Sequence, residues 1–166
     1  MTNRTFASWV EPVASLLAER RREVIAFARS APVELWGWPS EVPAWTCKDI
    51  LSHLAGGNDR ILQTVLRSVT ARAPVNPSLL QVDTDAENAR GVEERRDWPI
   101  DALIAALEKD GDEVQDLLSR LTEEDEQLGE PGVPMSLADF LHIVQSEQHD
   151  LLHLQQIRRA RRGDQP

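Results

Sequence analysis

The sequence predicts an all-α protein, a four-helix bundle formed by a single domain over residues 1–166. Apolar residues recur at helical spacing in four long segments, and no segment shows the strict alternation of a half-buried strand. Capping patterns and proline-containing breaks mark the places where these segments begin and end. A chain of 166 residues is long enough to bury a substantial core.

The first helix is predicted from a capping pattern close to the N-terminus. Ser8 and Glu11 have the Ser-x-x-Glu spacing of a capping box, and Pro12 falls in the first turn, where proline is tolerated. The helix is expected to end before Pro32. Its predicted apolar face consists of Val13, Leu16, Leu17, Val24 and Phe27.

Residues 32–44 contain three prolines, so we predict a loop here. Trp36 and Trp38 lie within this loop and have no basic residues around them. We therefore expect both tryptophans to cover one end of the core rather than to stack on nucleic-acid bases.

The second helix has the clearest predicted start. Thr46 has the position of an N-cap, Asp49 is at N3, and Trp45 and Ile50 have the spacing of a hydrophobic staple. His53 is placed at the edge of the apolar stripe, where it would border a cleft. That stripe is predicted to contain Ile50, Leu54, Ile61 and Val65, widened by Leu51 and Leu62.

Residues 70–98 lack a sustained period and are too long for an ordinary turn between helices. A long crossover between helices 2 and 3 would explain this length, because parallel neighbours need a long return path. Residues 85–90 within it are expected to form a short helix of their own.

Pro99 is expected to open the third helix, with Asp97 or Trp98 as its cap. The predicted apolar face of this helix consists of Ile100, Leu103, Ile104, Leu107, Val114, Leu117, Leu118 and Leu121.

The fourth helix is predicted over residues 136–159, after a break with two prolines and a glycine. Ser136 would cap it with Asp139 at N3, and Met135 and Phe140 have staple spacing. This helix has more apolar residues than one buried stripe needs, which predicts a homodimer through a second contact surface. The apolar residues are Leu137, Phe140, Ile143, Val144, Leu151, Leu152 and Leu154.

The charge of the chain limits its partners. The formal net charge is −10, which argues against nucleic acid and anionic membranes as partners. The one basic cluster, four arginines between positions 158 and 162, falls where the last helix should end and favours its dipole. A single cysteine, no signal peptide and no membrane span together predict a soluble cytoplasmic protein.

The histidines predict a metal site. His149 and His153 are four residues apart on one helix face, about 6 Å along the axis, and His53 is the third candidate ligand. Imidazole suits transition metals; zinc is expected first, with nickel, iron, cobalt or manganese as alternatives. Three protein ligands leave one position open, as in catalytic zinc sites. The plain alternative is a helical module whose histidines merely pack.

Two other residues are of types that could belong to the same site. His142 is about 10 Å along the helix from His149, so it is predicted to be a packed or rim histidine. Cys47 lies at a helix N-terminus, which lowers a thiol pKa, but it shares the stripe of Leu54. A buried, inert Cys47 is therefore predicted. A di-iron carboxylate site is disfavoured because no histidine follows a glutamate at the required spacing.

Two motifs resemble those of the DinB-like superfamily. They are "WTCKDILSHLAG" at residues 45–56 and "HDLLHLQQI" at residues 149–157, and the stretch from Asp85 through "ERRDWPIDAL" is also similar. The resemblance implies an up-down-down-up bundle and a divalent metal held by three histidines, which correspond to His53, His149 and His153. It also implies that Asn88 lines the mouth of the site.

Relatives in that superfamily include thiol-dependent transferases and a mycothiol-dependent maleylpyruvate isomerase. The isomerase branch has glutamate where this chain has His149, so isomerase activity is not expected. The resemblance implies a metal-dependent thiol S-transferase or hydrolase acting on a small electrophile, with a low-molecular-weight thiol as partner. The catalytic residues are unassigned, and the alternative is a non-catalytic metal-dependent ligand-binding or stress-response protein.

Overall fold

The computed structural model describes residues 4–56, 60–73, 84–128, 135–147 and 149–160. Within these ranges every regular element is helical, which confirms the all-α fold class. The up-down-down-up four-helix topology stays a prediction.

The helices have the following bounds: α1 Glu11–Ser30, α2 Cys47–Leu54, α3 Arg60–Thr70, α4 Thr84–Glu94, α5 Ile100–Leu118, α6 Leu137–Glu147 and α7 His149–Arg159. Helix α4 confirms the short helix expected inside the long connection. The predicted second helix corresponds to α2 and α3, and the predicted last helix to α6 and α7. None of the described helices is long and apolar enough to cross a membrane.

The chain divides into two compact units. The first consists of Met1–Glu19, Asp59–Val82 and Asp110–Gln148. Its core is built from aliphatic residues of α1, α3, α5 and α6 and of the segments next to α1 and α5: Val10, Val13, Ala14, Leu62, Val65, Leu66, Val69, Val114, Leu117, Leu118, Leu121, Leu137 and Leu141.

The second unit consists of Arg20–Asn58, Asp83–Lys109 and His149–Pro166. Trp36 lies in a 3₁₀ segment, Val33–Gly37, and is buried in the core, with Trp38 packed against it. The tryptophans therefore cover core as predicted. The buried members of this core are Val24, Ile25, Ala28, Leu35, Trp36, Cys47, Ile50, Leu51, Leu54, Ala55, Leu103, Ile104, Leu107, Leu154 and Ile157.

The predicted capping role of Ser8 is wrong. Its backbone N–H donates to Glu123 Oε1 at 2.7 Å, and its hydroxyl donates to Glu123 Oε2 at 3.2 Å. Helix α1 begins at Glu11, whose backbone N–H donates to the Ala7 carbonyl. A distant carboxylate therefore replaces the local partner that the sequence spacing indicated.

The buried position predicted for Ile61 is also wrong, because its side chain is 50% exposed. The prediction continued the stripe of α2 past Leu54, but α2 ends there and α3 begins afresh at Arg60. The buried stripe of α3 has its own phase, at helical spacing: Leu62, Val65, Leu66 and Val69.

Candidate metal centre

Helix α2 holds His53 in a fixed position. The Thr46 hydroxyl accepts from the Asp49 N–H at 3.2 Å, and the Thr46 N–H donates to Asp49 Oδ2 at 2.8 Å, so the predicted capping box is present. The Cys47 N–H donates to the Trp38 carbonyl, which ties the start of α2 to the preceding loop. His53 is only 6% exposed.

Helix α7 supplies the other two histidines, one turn apart. Leu154 and Ile157 are buried and anchor this helix in the core of the second unit. The Nε2 atoms of His149 and His153 are 2.9 Å apart. The His149 side chain is 39% exposed, so one member of the group is accessible from solvent.

The three histidines predicted from the sequence lie together. Their candidate ligand nitrogens all fall within 4.8 Å of one another. The ring centroid of His53 is 5.4 Å from that of His149 and 4.8 Å from that of His153. Two nitrogens bound to one tetrahedral zinc ion at the usual bond length would be about 3.4 Å apart. The Nε2 atoms of His149 and His153 are closer than this, so they would move apart by about half an ångström on binding, and the group as a whole has the size of a site for a single ion.

Neighbouring side chains determine which ring nitrogens of His149 and His153 can bind a metal ion. His153 Nδ1 is 2.7 Å from Gln156 Oε1, and since an amide oxygen only accepts, the Nδ1–H donates there. His149 Nδ1 faces Asp150 Oδ1 at 3.9 Å. Because the His153 proton lies on Nδ1, His153 Nε2 accepts, and in the absence of an ion the His149 Nε2–H donates to it across 2.9 Å. A metal ion bound by the two Nε2 atoms would take the place of this proton.

Asp150 is itself held by a buried ion pair. The Arg21 Nε–H donates to Asp150 Oδ2 at 2.8 Å, and the two side chains are 8% and 12% exposed. Burial raises the pKa of the Asp150 carboxyl, but the interactions with His149 and Arg21 outweigh it, so the pKa lies below its ordinary value. The carboxylate therefore stays charged beside His149, as a partner of a metal-binding imidazole usually does.

Electrostatics keep the buried imidazoles neutral. Burial, and then the neighbouring His153 and His149, lower the pKa of His53 to about 3. The Arg95 charge contributes to the same shift. The pKa of His153 is also lowered, first by burial and then by His149. Neutral imidazole is the form that binds metal.

Sequence reasoning missed the partners of the histidines. Gln156 and Asp150 could have been found, since they lie three residues after His153 and next to His149. Arg21 could not, because no local pattern links α1 to a residue of α7.

Three other candidate residues, His142, Cys47 and Asn88, differ in exposure. His142 lies exposed on α6 and is outside the histidine group. Cys47 is fully buried, and burial raises the pKa of its thiol, as expected of an inert cysteine. Asn88 is half-buried on α4, and its place at the mouth of the site stays a prediction.

A family model described as the DinB superfamily matches residues 16–157, a range that includes the three histidines of the candidate site. No curated protein and no solved structure matches the chain.

Proposed function

The chain belongs to the DinB superfamily, and on that premise we propose that His53, His149 and His153 hold one divalent transition metal ion. The observation that carries the proposal is the convergence of three imidazoles, with two Nε2 atoms 2.9 Å apart. Neutral nitrogen ligands favour zinc, nickel, iron or cobalt over magnesium and calcium. We take zinc as the first candidate, with nickel, iron and manganese to be compared directly.

We further propose that the centre activates a small nucleophile for attack on an electrophile, as a transferase or hydrolase. Three protein ligands leave a coordination position open, and a bound divalent ion supplies Lewis acidity at that position. In the described part of the chain no Cys, Asp or Glu completes the histidine group as a fourth ligand.

The residues of the chain have two roles in this scheme. Gln156 and Asp150 hold the Nδ1 sides of His153 and His149, so that both Nε2 atoms point inward. Arg21 fixes the carboxylate of Asp150 through the buried ion pair. These contacts orient the ligands before the ion arrives, which reduces the cost of ordering them.

We propose that the nucleophile comes from outside the chain. Cys47 is the only cysteine, it is fully buried, and the pKa of its thiol is raised. A low-molecular-weight thiol or water is therefore the expected nucleophile, and the products differ between a transferase and a hydrolase.

A second candidate function is metal-dependent binding of a small ligand without turnover. It is favoured by the pairing of Asp150 with Arg21, which leaves this carboxylate engaged rather than free to act as a base. The two functions differ in whether product accumulates.

The test is a metal analysis followed by a turnover assay. Purified protein loaded with each metal is mixed with a reactive aromatic chloride, with and without a small thiol, and product is followed with time. An enzyme gives thiol adduct or hydrolysis product that disappears in His149→Ala and persists in His142→Ala. Stoichiometric metal without product under all conditions supports the binding protein instead.

A further inference from the structure

Arg95, which follows α4, reaches the last turn of α2. Its Nε–H donates to the backbone carbonyl of Ser52 at 3.1 Å, and Ser52 directly precedes His53. The positive charge of the guanidinium disfavours protonation of the His53 ring and so lowers the pKa of His53. Arg95 thus lies beside the turn that presents one of the three histidines.

Two glycines make room for this guanidinium. A Cβ atom added to Gly56 would lie 1.9 Å from Arg95 Nη2, and one added to Gly91 would lie 2.8 Å from the same atom. Both distances are shorter than any normal contact. The guanidinium is therefore seated against backbone at two positions where any other residue would displace it.

Among the described residues Arg95 forms no ion pair, although the chain has a net charge of −10 and Glu94 lies nearby, whose charge raises the pKa of Arg95 less than burial lowers it. The only hydrogen bond of its guanidinium to a described residue is the one from Nε–H to the Ser52 carbonyl, so both Nη groups have spare donors. The neighbouring Arg96 and the nearby Arg90 pair with Glu93 and Glu87. Arg95 is also half-buried, and burial lowers its pKa, so the charge is partly desolvated.

We propose that Arg95 is an anion-binding residue that takes the carboxylate of a small substrate beside the histidine group. A guanidinium with free Nη donors forms charge-assisted, often bidentate, hydrogen bonds with a carboxylate. In an otherwise acidic chain it selects anionic ligands that the overall charge would repel. The proposal rests on the proposed function, because it assigns a substrate class to the same site.

The contact with Ser52 also has a structural role, and the test must separate this role from anion binding by Arg95. The Nε–H bond caps a carbonyl in the last turn of α2, where a cation is favourable. Arg95→Gln retains an N–H donor for that carbonyl and removes the charge. Arg96→Gln removes one charge from the adjacent exposed residue and is the matched control.

The probes are two pairs of thiols that differ only in charge: mercaptoacetate against mercaptoethanol, and mercaptopropionate against mercaptopropanol. They are titrated into the cobalt-loaded protein, and binding is followed by the thiolate-to-cobalt absorption band and by backbone NMR shifts. We expect the better-fitting acid of the two pairs to bind about tenfold more tightly than its alcohol, the effect of one charge-assisted hydrogen bond. Arg95→Gln should abolish this preference, whereas Arg96→Gln should retain it.

Each outcome bears on one of the two proposals. Equal affinities for acid and alcohol, or a preference that survives in Arg95→Gln, overturn the anion site and leave the metal centre standing. Charge-dependent NMR shifts without an absorption band retain the anion site but contradict thiol binding at the metal. If none of the four probes binds, the anion site and thiol binding at the metal are both contradicted, whereas a metal centre that activates water still stands.

Discussion

At the scale of single residues, Asp150 connects a metal-ligand candidate to a buried cation. Replacing it with asparagine removes the charge that faces His149 Nδ1 and breaks the ion pair with Arg21. We expect Asp150→Asn to weaken metal binding by about 10–100-fold, the usual effect of losing such a partner. Chelator competition measures the affinity, and thermal unfolding at saturating metal detects any loss of the fold.

Asp101→Asn is the matched control, because Asp101 is exposed in the first turn of α5 and forms no ion pair among the described residues. Its metal affinity should equal that of the wild type. Equal affinities for the Asp150 and Asp101 variants would show that the carboxylate does not position His149.

His53 should make the metal-free protein sensitive to acid. Its folded pKa is about 3, below the unfolded value of about 6.5, so the unfolded state binds more protons between these limits. Its contribution to stability is complete above about pH 6.5 and is lost as the pH falls toward 3, with a slope of up to about 1.4 kcal/mol per pH unit. Urea unfolding at several pH values measures this slope.

His53→Gln should flatten the acid dependence, whereas His142→Gln should leave it unchanged, since His142 is exposed. In the metal-loaded protein, protons compete with the ion for the same nitrogens, so metal release should accompany the loss of stability. A wild-type slope that persists in His53→Gln would assign the acid sensitivity to other groups.

At the scale of elements, the capping box of α2 should matter for the metal as well as for stability. Thr46→Ala removes the hydroxyl that accepts from the Asp49 N–H, which should cost about 1 kcal/mol of unfolding free energy. Ser136→Ala removes the equivalent cap of α6, which has the same pattern with Asp139. We expect similar losses of stability, measured by urea unfolding.

Only the variant in α2 should also weaken metal binding, because α2 carries His53 and α6 carries no member of the histidine group. Chelator competition on both variants makes the comparison. Equal losses of metal affinity in both variants, or no loss in either, would show that the cap of α2 does not position His53 for metal binding.

The starts of α2 and α6 were predictable from the sequence because their capping residues are local: Thr46 with Asp49, and Ser136 with Asp139. Ser8 has the same kind of pattern, yet a carboxylate distant in sequence binds it instead. The error at Ile61 has a different cause, since apolar spacing alone does not show where one helix stops and another resumes.

At the scale of the whole molecule, the histidine cluster was predictable from the sequence, but the arginines that contact its surroundings, Arg21 and Arg95, were not. Spacing on one helix face indicated that His149 and His153 converge, and the resemblance of both motifs to one family added His53. Arg21 and Arg95 act through contacts between elements that are far apart in the sequence. Such contacts depend on packing, which no local pattern records.

We also propose that the protein forms a homodimer. Of the apolar residues that suggested a second contact surface, Ile143 and Leu152 are exposed, at 42% and 53%. Sedimentation at micromolar concentration should give twice the chain mass for the wild type, and Leu152→Glu should shift it toward the monomer. A wild-type monomer at that concentration would refute the dimer.

The central claim, that three histidines hold one ion, is tested most directly by the metal content of purified variants. We expect one ion per chain in the wild type and in His142→Ala, and none in His53→Ala and His149→Ala. Circular dichroism should show that all four proteins retain their helices, because an open metal site in a packed helical domain is not needed for folding. Full metal occupancy in either His53→Ala or His149→Ala would contradict the account.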